Sequence, residues 1–538
     1  MADRRARALA LTASGLAAAA GVRLPQDLEL WRVAGGRPAS AARIESDDPA
    51  GALVTALESA LTDAERRGGA HYTPPELADQ VVASALAKLS GAPSRAFVDP
   101  SCGGGAVLLA AGRRLEAAGV PPRVAARDLL WGADIDPLAA AVTEAAIAIW
   151  SGGTAPAAGH VVAADVLARG RRAWPTPPPA GFDVVVGNPP FQGQLAKGSS
   201  RDASEREALR ERFGAAVTPY VDTAALFLLV AVELAARGGR VALVQPRSTA
   251  AARDAGGVRE ALAARARLVD LWAPEGFRFA ARVHVCVPVL AVGRRESAPD
   301  WAGRLAASDG VPPVRFEAGR RTVGDRATAV AGFRQHYYGL APHVREAGRS
   351  RTLARLGTSG LVDIGSCHWG RRPVRFAGRA WERPAVDRRS LAAGDDPAVA
   401  AWVERLMRPK IVVASQTKVV EAAVDRTGSW VPCTPVVSVV PRDERELDLL
   451  AAALCSPPAS AWAAARVAGS GLSPGAIRMS SDLALSIPLP ADRRTWRKAA
   501  TALAEGDLAA FGRFGTAMHH LPDAVADAVE AWWTDARQ

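Results

Sequence analysis

Between residues 69 and 293 the chain alternates short apolar segments with stretches of helical periodicity. The apolar segments are rich in Val, Leu and Ala, and most lie just before an acidic or amide side chain: they are residues 96–98, 129–133, 161–164, 184–186, 240–244 and 285–292. Continuous apolar segments separated by helices are typical of parallel strands buried on both faces. The pattern predicts an α/β fold with a doubly wound, mostly parallel, Rossmann-like sheet that binds ligands at the carboxyl ends of its strands.

The segment Asn188-Pro189-Pro190-Phe191 directly follows the strand predicted over residues 182–187. Two consecutive prolines stiffen the turn and lack backbone N–H donors, so carbonyl oxygens are left available as acceptors. The Asn188 side-chain oxygen and the Pro189 carbonyl are therefore suited to accept both protons of an NH2 group on a planar ring or amide. Phe191 offers a flat face on which such a ring can stack, with ordinary core packing as the alternative role.

A glycine-rich turn, Asp99-Pro100-Ser101-Cys102-Gly103-Gly104-Gly105, connects the first strand to a helix predicted over residues 106–115. Glycines let a ligand approach the backbone closely, and the helix N-terminus presents free N–H groups. The turn has neither the dinucleotide pattern G-x-G-x-x-G nor the Walker Gly-Lys-Ser/Thr pattern, so it does not indicate a phosphate ligand.

Two acids, Asp134 and Asp165, follow the next two predicted strands. Asp134 is placed to accept hydrogen bonds from both ribose hydroxyls of an adenosine, and Asp165 from the amino group of its adenine. Helix capping is the alternative role for such acids, including Asp99. Together with the glycine turn, the two acids favour an adenosyl cofactor.

In type and order these segments resemble the gamma class of N6-adenine DNA methyltransferases, found in restriction–modification and phage-defence systems. The resemblance covers about residues 69–293 and rests on His71-Tyr72-Thr73-Pro74, the turn Asp99–Gly105, the two acids, the segment Asn188–Phe191 and a later strand over residues 237–246. It implies a site-specific, adenine-specific methyltransferase that uses S-adenosylmethionine. The implied substrate is an adenine flipped out of double-stranded DNA.

The resemblance also implies roles for individual residues. The predicted catalytic residues are Asn188, Pro189, Pro190 and Phe191. The predicted cofactor-binding residues are Tyr72, Thr73, Asp99, Ser101, Cys102, Gly103, Gly105, Asp134, Ile135, Asp165, Val166 and Asn188. Among these, Tyr72 is expected to line the methionine end of the cofactor site and Asp99 to bind the cofactor's amino end. Gly104 and Val107 depart from the family, which commonly has Ser or Thr and Phe there; we expect altered cofactor packing rather than lost binding.

Four parts of the chain are predicted: an N-terminal helical segment over residues 1–68, a methyltransferase catalytic domain over 69–300, an α/β target-recognition domain over 301–490 and a helical tail over 491–538. The third part resembles the DNA-specificity domain of the family more loosely, in Arg408-Pro409-Lys410-Ile411 and residues 485–490. Residues 192–223 are polar, and we expect a loop that acts as a lid or contacts DNA. The basic run Arg371, Arg372, Arg375 and Arg379 near Trp369 is a candidate phosphate contact, with a solvated surface loop as the alternative.

The composition adds modest support for an anionic partner. The net charge is +11 and the pI is about 10.0, yet only five of the 66 basic residues are lysines, which also fits a bias toward arginine codons. The five cysteines form no CxxC pair and the histidines are unevenly spaced, so neither a disulfide framework nor a metal site is predicted. A reducing cytoplasm is the expected location. Neither the Ala-rich start nor any other stretch has the apolar length of a membrane span, so no membrane partner is expected.

Two other functions stay open at this point. The same chemistry on RNA or on a protein glutamine fits the Asn-Pro-Pro turn, although the large C-terminal part, the basic charge and Phe191 favour DNA. A non-catalytic DNA-binding subunit with this fold is the second alternative, and the intact Asn188 argues against it. No nuclease motif is recognised, so a restriction endonuclease, or the subunits of a defence complex, would be separate partner chains.

Overall fold

The computed structural model describes residues 2–62, 73–87, 89, 95–191, 203–274, 284–332, 334–348 and 352–537. Contacts between residues divide the chain into two compact units, Met1–Trp301 and Ala302–Gln538. We refer to them as the first and the second unit.

The first unit is built on one eight-stranded sheet. Its strands are β1 Phe97–Asp99, β2 Leu130–Asp134, β3 Val161–Ala163, β4 Phe182–Gly187, β5 Ala235–Leu243, β6 Gln245–Pro246, β7 Ala266–Trp272 and β8 Val285–Val292. The order is β3-β2-β1-β4-β5-β8-β6, with β7 paired to β8. Strands β1 to β5 are parallel, whereas β8 runs antiparallel to β5, β6 and β7. The predicted doubly wound, mostly parallel α/β fold is confirmed.

Eleven α-helices are described in the first unit. They are α1 Ala2–Ala19, α2 Glu29–Val33, α3 Pro49–Ser59, α4 Pro75–Leu86, α5 Ala106–Ala117, α6 Pro122–Val124, α7 Pro137–Trp150, α8 Val166–Arg169, α9 Ala203–Phe213, α10 Thr223–Leu234 and α11 Gly256–Ala263. Among the described residues of the whole chain, no helix has both the length and the apolar character needed to cross a bilayer.

Helix α3 illustrates how the N-terminal helices join the sheet. The Asp48 side chain accepts a hydrogen bond from the Gly51 N–H and caps the helix. Its buried residues, Ala50, Leu53, Val54 and Leu57, recur at helical spacing on one face. This face belongs to the same hydrophobic core as residues of α1 and of strands β1 and β4. The N-terminal helices are therefore part of the body that carries the sheet.

The loop predicted over residues 192–223 is wrong in part, because α9 and a 3₁₀ turn, Gly214–Ala216, lie within it. Helix α9 is rich in Glu and Arg, and Glu207 and Arg210 form an ion pair at i,i+3 spacing. A helix without a long apolar stripe gives no periodic signal in the sequence, which explains the error. Residues 192–202 lie outside the described part of the chain.

The second unit contains two four-stranded sheets, β10-β16-β11-β19 and β18-β17-β20-β9, and two hairpin-sized sheets, β12-β13 and β14-β15. Its strands are β9 Ala327–Ala331, β10 Val344–Glu346, β11 Leu353–Gly357, β12 Val362–Asp363, β13 Ser366–Cys367, β14 Val374–Phe376, β15 Arg379–Trp381, β16 Pro384–Asp387, β17 Lys410–Ala414, β18 Ala422–Asp425, β19 Trp430–Pro432 and β20 Val436–Pro441.

The remaining helices lie in or at the start of the second unit. They are α12 Trp301–Ser308, α13 Arg334–Leu340, α14 Arg388–Ala392, α15 Pro397–Leu406, α16 Leu447–Cys455, α17 Pro457–Val467, α18 Ser481–Ser486, α19 Arg493–Glu505, α20 Leu508–Ala517 and α21 Asp523–Ala536. Helix α19 packs against α16 and α20, so the C-terminal helices are built into this unit. The unit is a mixed α/β module, as predicted.

A fully buried ion pair joins two neighbouring strands of the second unit. Lys410 begins β17, Asp425 ends β18, and the two residues are direct partners in the antiparallel register. Their charged atoms are 2.5 Å apart and both side chains are 0% exposed. Asp425 also accepts the backbone N–H groups of Ser429 and Trp430. Burial lowers the pKa of the Lys410 ammonium, an effect that the neighbouring Asp425 opposes.

We predict that Lys410→Met destabilises the protein by about 3–5 kcal/mol, because it leaves the Asp425 carboxylate buried without its counter-ion. Urea unfolding followed by circular dichroism would measure the change. The control is Lys418→Met, which removes the same charge from an exposed position and should change the free energy of unfolding by less than about 0.5 kcal/mol. Equal effects of the two substitutions would contradict the prediction.

Candidate active site

Three strand ends meet at one edge of the first unit's sheet. Strand β1 lies between β2 and β4, with Val98 paired to Trp131 on one side and to Val185 on the other. All three strands run in the same direction, so Asp99, Asp134 and Asn188 emerge at the same edge. The chain order of the strands reverses at β1, and such a reversal opens a crevice that binds ligands in α/β folds.

Asn188 is held at this edge by its amide group. Its Nδ2 donates a hydrogen bond to the Thr73 Oγ1 at 3.0 Å, and Thr73 is buried. Its Oδ1 is also buried, and no hydrogen-bond partner for it exists among the residues that the structure describes. Thr73 therefore fixes the amide in an orientation that leaves one acceptor oxygen available. Pro189, whose carbonyl is the other predicted acceptor, is buried beside it.

The glycine turn is shaped by two residues in the left-handed region, Gly103 at φ 53° and Gly105 at φ 97°. A Cβ atom on Gly103 would meet no atom within 4 Å, so this side of the turn is open. A Cβ on Gly105 would lie 3.2 Å from the Thr143 side chain. The Thr143 hydroxyl donates to the Gly103 carbonyl at 2.7 Å and ties the turn to helix α7. The turn combines a fixed backbone with an open face, as a ligand-binding turn requires.

The glycine at position 104 has a packing explanation. A Cβ there would lie 3.2 Å from Leu57 Cδ2 and from Val54 Cγ1, both on helix α3. The Ser or Thr that the family commonly has at this position would therefore press on α3, and the side chains of Leu57 and Val54 would have to shift to accommodate it. Val107, the other departure, is buried in the same core.

Two acids at the edge are removed from water to different extents: Asp99 is buried and Asp134 is partly buried. Burial raises the pKa of the Asp99 carboxyl to about 8, although the Ser101 N–H, 3.0 Å from its Oδ1, opposes the shift. Burial likewise raises the pKa of Asp134, which accepts the Gly103 and Asp136 N–H groups at 2.9 Å each. The partners that hold these carboxyls are backbone N–H groups rather than cations. The edge is thus suited to a ligand that carries positive charge.

Three residues of the predicted cofactor site, Asp165, Val166 and Ile135, differ in their exposure to solvent. Asp165 is exposed and caps helix α8 by accepting the Ala168 N–H at 3.1 Å, while Val166 is buried. Ile135, next to Asp134, is 74% exposed and presents an apolar side chain at the rim. The capping role of Asp165 is observed; its contact with adenine stays a prediction.

Other predicted residues lie beside the same edge or outside the described residues. Phe191 is half-buried and packs against the core, so its stacking role stays a prediction. Cys102 is buried, and burial raises the pKa of its thiol well above the usual range. Tyr72 lies outside the described residues. Within the described residues, no group of three or more His, Cys, Asp or Glu could hold a metal ion.

One residue near the site had no signal in the sequence. Glu58 on helix α3 accepts the backbone N–H of Thr73, and burial raises the pKa of its carboxyl to about 8. It precedes the predicted catalytic domain and belongs to no recognised motif. Only the packing of α3 against the glycine turn brings it to this place.

The chain is similar to a known protein family and to several solved structures. The N-6 DNA Methylase family matches residues 55–299, and this is the family that the motifs predicted. The fold is similar to that of the type IIL restriction-modification enzyme MmeI in complex with DNA, with a TM-score of 0.51 and 13% identity over 94% of this chain and 80% of that chain. No curated protein sequence matches the chain.

Two further structures are similar over different lengths. A modification subunit of a putative type I restriction enzyme from Vibrio vulnificus YJ016 is 20% identical, with a TM-score of 0.35 over 49% of this chain and 53% of that chain. The type IIG restriction endonuclease BpuSI is 11% identical, with a TM-score of 0.44 over 99% of this chain and 78% of that chain. The chain thus spans about half the length of the type I subunit.

We predict that Gly105→Ala destabilises the protein more than Gly119→Ala does. Both glycines flank helix α5 at positive φ, and alanine in that region costs about 1–2 kcal/mol. A Cβ on Gly119 meets nothing within 4 Å, whereas one on Gly105 presses on Thr143. Urea unfolding of both variants would compare the two free energies directly. An equal loss would show that the contact with Thr143 adds nothing.

Proposed function

Because residues 55–299 match the N-6 DNA methylase family, we propose that this protein transfers a methyl group from S-adenosylmethionine to the N6 amino group of an adenine in double-stranded DNA. The observation that carries the proposal is the buried Asn188 Oδ1, which is fixed by Thr73 and has no partner among the described residues. The Asn188 Oδ1 lies at the same sheet edge as the open glycine turn. An acceptor for an NH2 group is therefore next to a turn on which a cofactor can bind.

The chemistry requires two acceptors rather than a strong base. The lone pair of an adenine amino nitrogen is delocalised into the ring, so the nitrogen is a poor nucleophile. Hydrogen bonds from its two protons to the Asn188 Oδ1 and the Pro189 carbonyl draw it toward tetrahedral geometry. S-adenosylmethionine, when bound, would supply the methyl group from its positively charged sulfur. The nitrogen held by these two acceptors would receive that group, and its surplus proton would pass to water. Positioning and fixed dipoles supply most of the acceleration.

The residues at the sheet edge fit S-adenosylmethionine, which supplies a methyl group on a positively charged sulfur. Asp134 and Ile135 offer a carboxylate and an exposed apolar side chain for an adenosine. The open face of Gly103 allows close approach to the backbone. The buried acids favour a cation and not a phosphate.

An adenine inside a duplex cannot reach this edge, so we propose that it is flipped out at a cost of roughly a few kcal/mol. Stacking on the ring of Phe191 would return about 1–3 kcal/mol. Phe191 is half-buried, packs against the core and follows Asn188 closely in the chain, which supports this proposal.

We propose that the second unit recognises DNA. Arg371 and Arg375 are exposed there, whereas Arg372 is held by both oxygens of Asp363 at 2.7 and 2.9 Å. The Trp369 indole nearby lies within 5.2 Å of two guanidinium groups, those of Arg355 and Arg383. A restriction–modification or phage-defence role would add a separate restriction endonuclease or the subunits of a defence complex as partners.

We predict that Asn188→Ala lowers methyl transfer to duplex DNA by at least about 100-fold, since it removes the fixed acceptor. Transfer of labelled methyl from S-adenosylmethionine would be measured, with folding checked by circular dichroism. Thr55→Val, an exposed threonine of helix α3, should retain full activity. Labelling of RNA or protein but never of DNA would overturn the substrate, and DNA binding without any transfer would favour a non-catalytic subunit.

We also predict that the double substitution Arg371→Ala and Arg375→Ala weakens DNA binding and reduces the slope of log affinity against log salt by about 0.9 for each phosphate that is no longer neutralised. Fluorescence anisotropy with duplex DNA at several salt concentrations would measure both quantities. The matched control is Arg493→Ala with Arg497→Ala, which removes the same charge from exposed positions on α19. Identical slopes for the wild type and the first variant would exclude these arginines from the interface.

A further inference from the structure

Four arginines of the first unit form a cluster that we call the arginine patch: Arg237 and Arg240 on β5, Arg267 on β7 and Arg294 just after β8. The strand register brings two of them together, because Arg240 and Arg267 pair with Ala291 of β8 from its two sides. Directly paired residues project from the same face of a sheet. Arg240 and Arg267 therefore share one face, about 10 Å apart across two strand spacings.

The backbone around the patch fixes two of these side chains. The Arg240 Nη1 donates to the carbonyl oxygens of Gly238 and Gly239, at 3.1 and 3.4 Å. Gly293 has a φ of 83°, and a Cβ on it would lie 2.8 Å from the Arg237 Cγ. The glycine at position 293 thus leaves room for the stem of Arg237 to lie against the turn after β8. The patch is a built feature of the sheet.

The fold supplies no counter-ion for the patch among the residues that the structure describes. None of its four arginines forms an ion pair there, whereas the neighbouring Arg265 lies 3.9 Å from Glu233. The acids nearest in sequence have other partners: Glu233 binds Arg212 at 2.7 Å, while Glu296 and Asp270 accept the backbone N–H groups of Leu268 and Leu271.

The charges that surround Arg240 are positive. Burial lowers the pKa of its guanidinium, and the charges of Arg294, Arg267 and Arg95 lower it further. Like charges that a sheet holds together reduce stability unless an anion lies among them. A group of cations on a fixed frame therefore indicates an anionic ligand.

The exposure of the patch indicates a macromolecule as that ligand. Arg237, Arg267 and Arg294 are exposed and Arg240 is half-buried, so the patch is an open surface. Sites for small molecules are concave and bury most of the ligand, whereas charged protein partners meet open surfaces of complementary charge.

The patch lies toward the amino ends of the parallel strands, away from the candidate active site. Arg240 pairs with Val184, which pairs with Phe97, the first residue of β1. Asn188 follows Val184 by four positions (188 minus 184), about 13 Å along the strand. A duplex with its adenine at Asn188 is stiff over this length and would have to bend sharply around the sheet to reach the patch. The patch therefore suits a second anionic partner better than it suits the DNA substrate.

We propose that the arginine patch docks an acidic segment of a partner protein, whose carboxylates pair with the guanidinium groups of Arg240, Arg267 and Arg294. A guanidinium group can hold a carboxylate through two parallel hydrogen bonds, so several of them fix the position of the segment as well as neutralise its charge. The patch is separate from the sheet edge that carries Asn188, so the partner and DNA can bind at the same time. The proposal concerns protein binding and holds whatever the substrate of the active site is.

The test uses the full chain and two labelled peptides. In the first peptide Glu alternates with Ser, and in the second Gln replaces every Glu. By fluorescence anisotropy, we expect the Glu peptide to bind at least about tenfold more tightly than the Gln peptide. The triple variant Arg240→Gln, Arg267→Gln and Arg294→Gln should weaken binding of the Glu peptide about tenfold, because it removes three ion pairs of the exposed kind.

A matched control separates the patch from the total charge of the chain. Arg493→Gln with Arg494→Gln and Arg497→Gln removes the same charge from exposed positions on α19 and should change the affinity for the Glu peptide less than about twofold. The two triple variants should bind duplex DNA equally well.

Each remaining outcome overturns the proposal. Equal losses of peptide binding in the two triple variants would mean that only total charge matters. A patch variant that loses affinity for DNA as much as for the Glu peptide would make the patch a DNA surface, and a wild-type chain that ignores the Glu peptide would leave the patch without this partner. Should the triple patch variant fail to fold, Arg267→Gln with Arg294→Gln keeps the half-buried Arg240 and should show a smaller, still selective loss.

Discussion

The parallel pairing of β1 with both β2 and β4 is the constraint on which the site depends. It forces three strand ends from different parts of the chain to one edge, so Asp99, Asp134 and Asn188 meet although up to 89 positions (188 minus 99) separate them. Backbone hydrogen bonds along these strands set the register, and buried Val, Phe and Leu side chains hold it. The glycine turn follows β1 and the Asn-Pro-Pro segment follows β4, so the pairing of these two strands fixes the positions of both.

Polar groups at this edge are held mainly by backbone donors. Asp134 accepts two N–H groups, Asp99 accepts one, and Glu58 accepts the Thr73 N–H. Hydrogen bonds from N–H groups make burial of the carboxyls tolerable, although burial still raises the pKa of each one. The result is a preorganised edge of carboxyl groups without cationic partners among the described residues, and a fixed amide oxygen lies within it. A cationic methyl donor and a neutral amino group are the reactants that such an edge favours.

The two units use buried charge in different ways. In the second unit Lys410 neutralises Asp425 within the core, and this pair leaves nothing for a ligand. In the first unit Asp99 and Asp134 are held at the sheet edge by backbone N–H groups, with no cationic partner among the described residues. A buried acid is thus a sign of function only where its partners leave it incompletely satisfied.

The sequence by itself determined the order of strands and helices, the glycine turn and the segment Asn188–Phe191, because continuous apolar strands, glycines and prolines act through local backbone preferences. The sequence did not predict helix α9, because its polar surface carries no periodic apolar stripe. Only the tertiary structure decided that Thr73 orients Asn188 and that α3 packs tightly against the backbone at Gly104. These contacts join residues far apart in the chain, so no local pattern encodes them; they follow from how the helices pack onto the sheet.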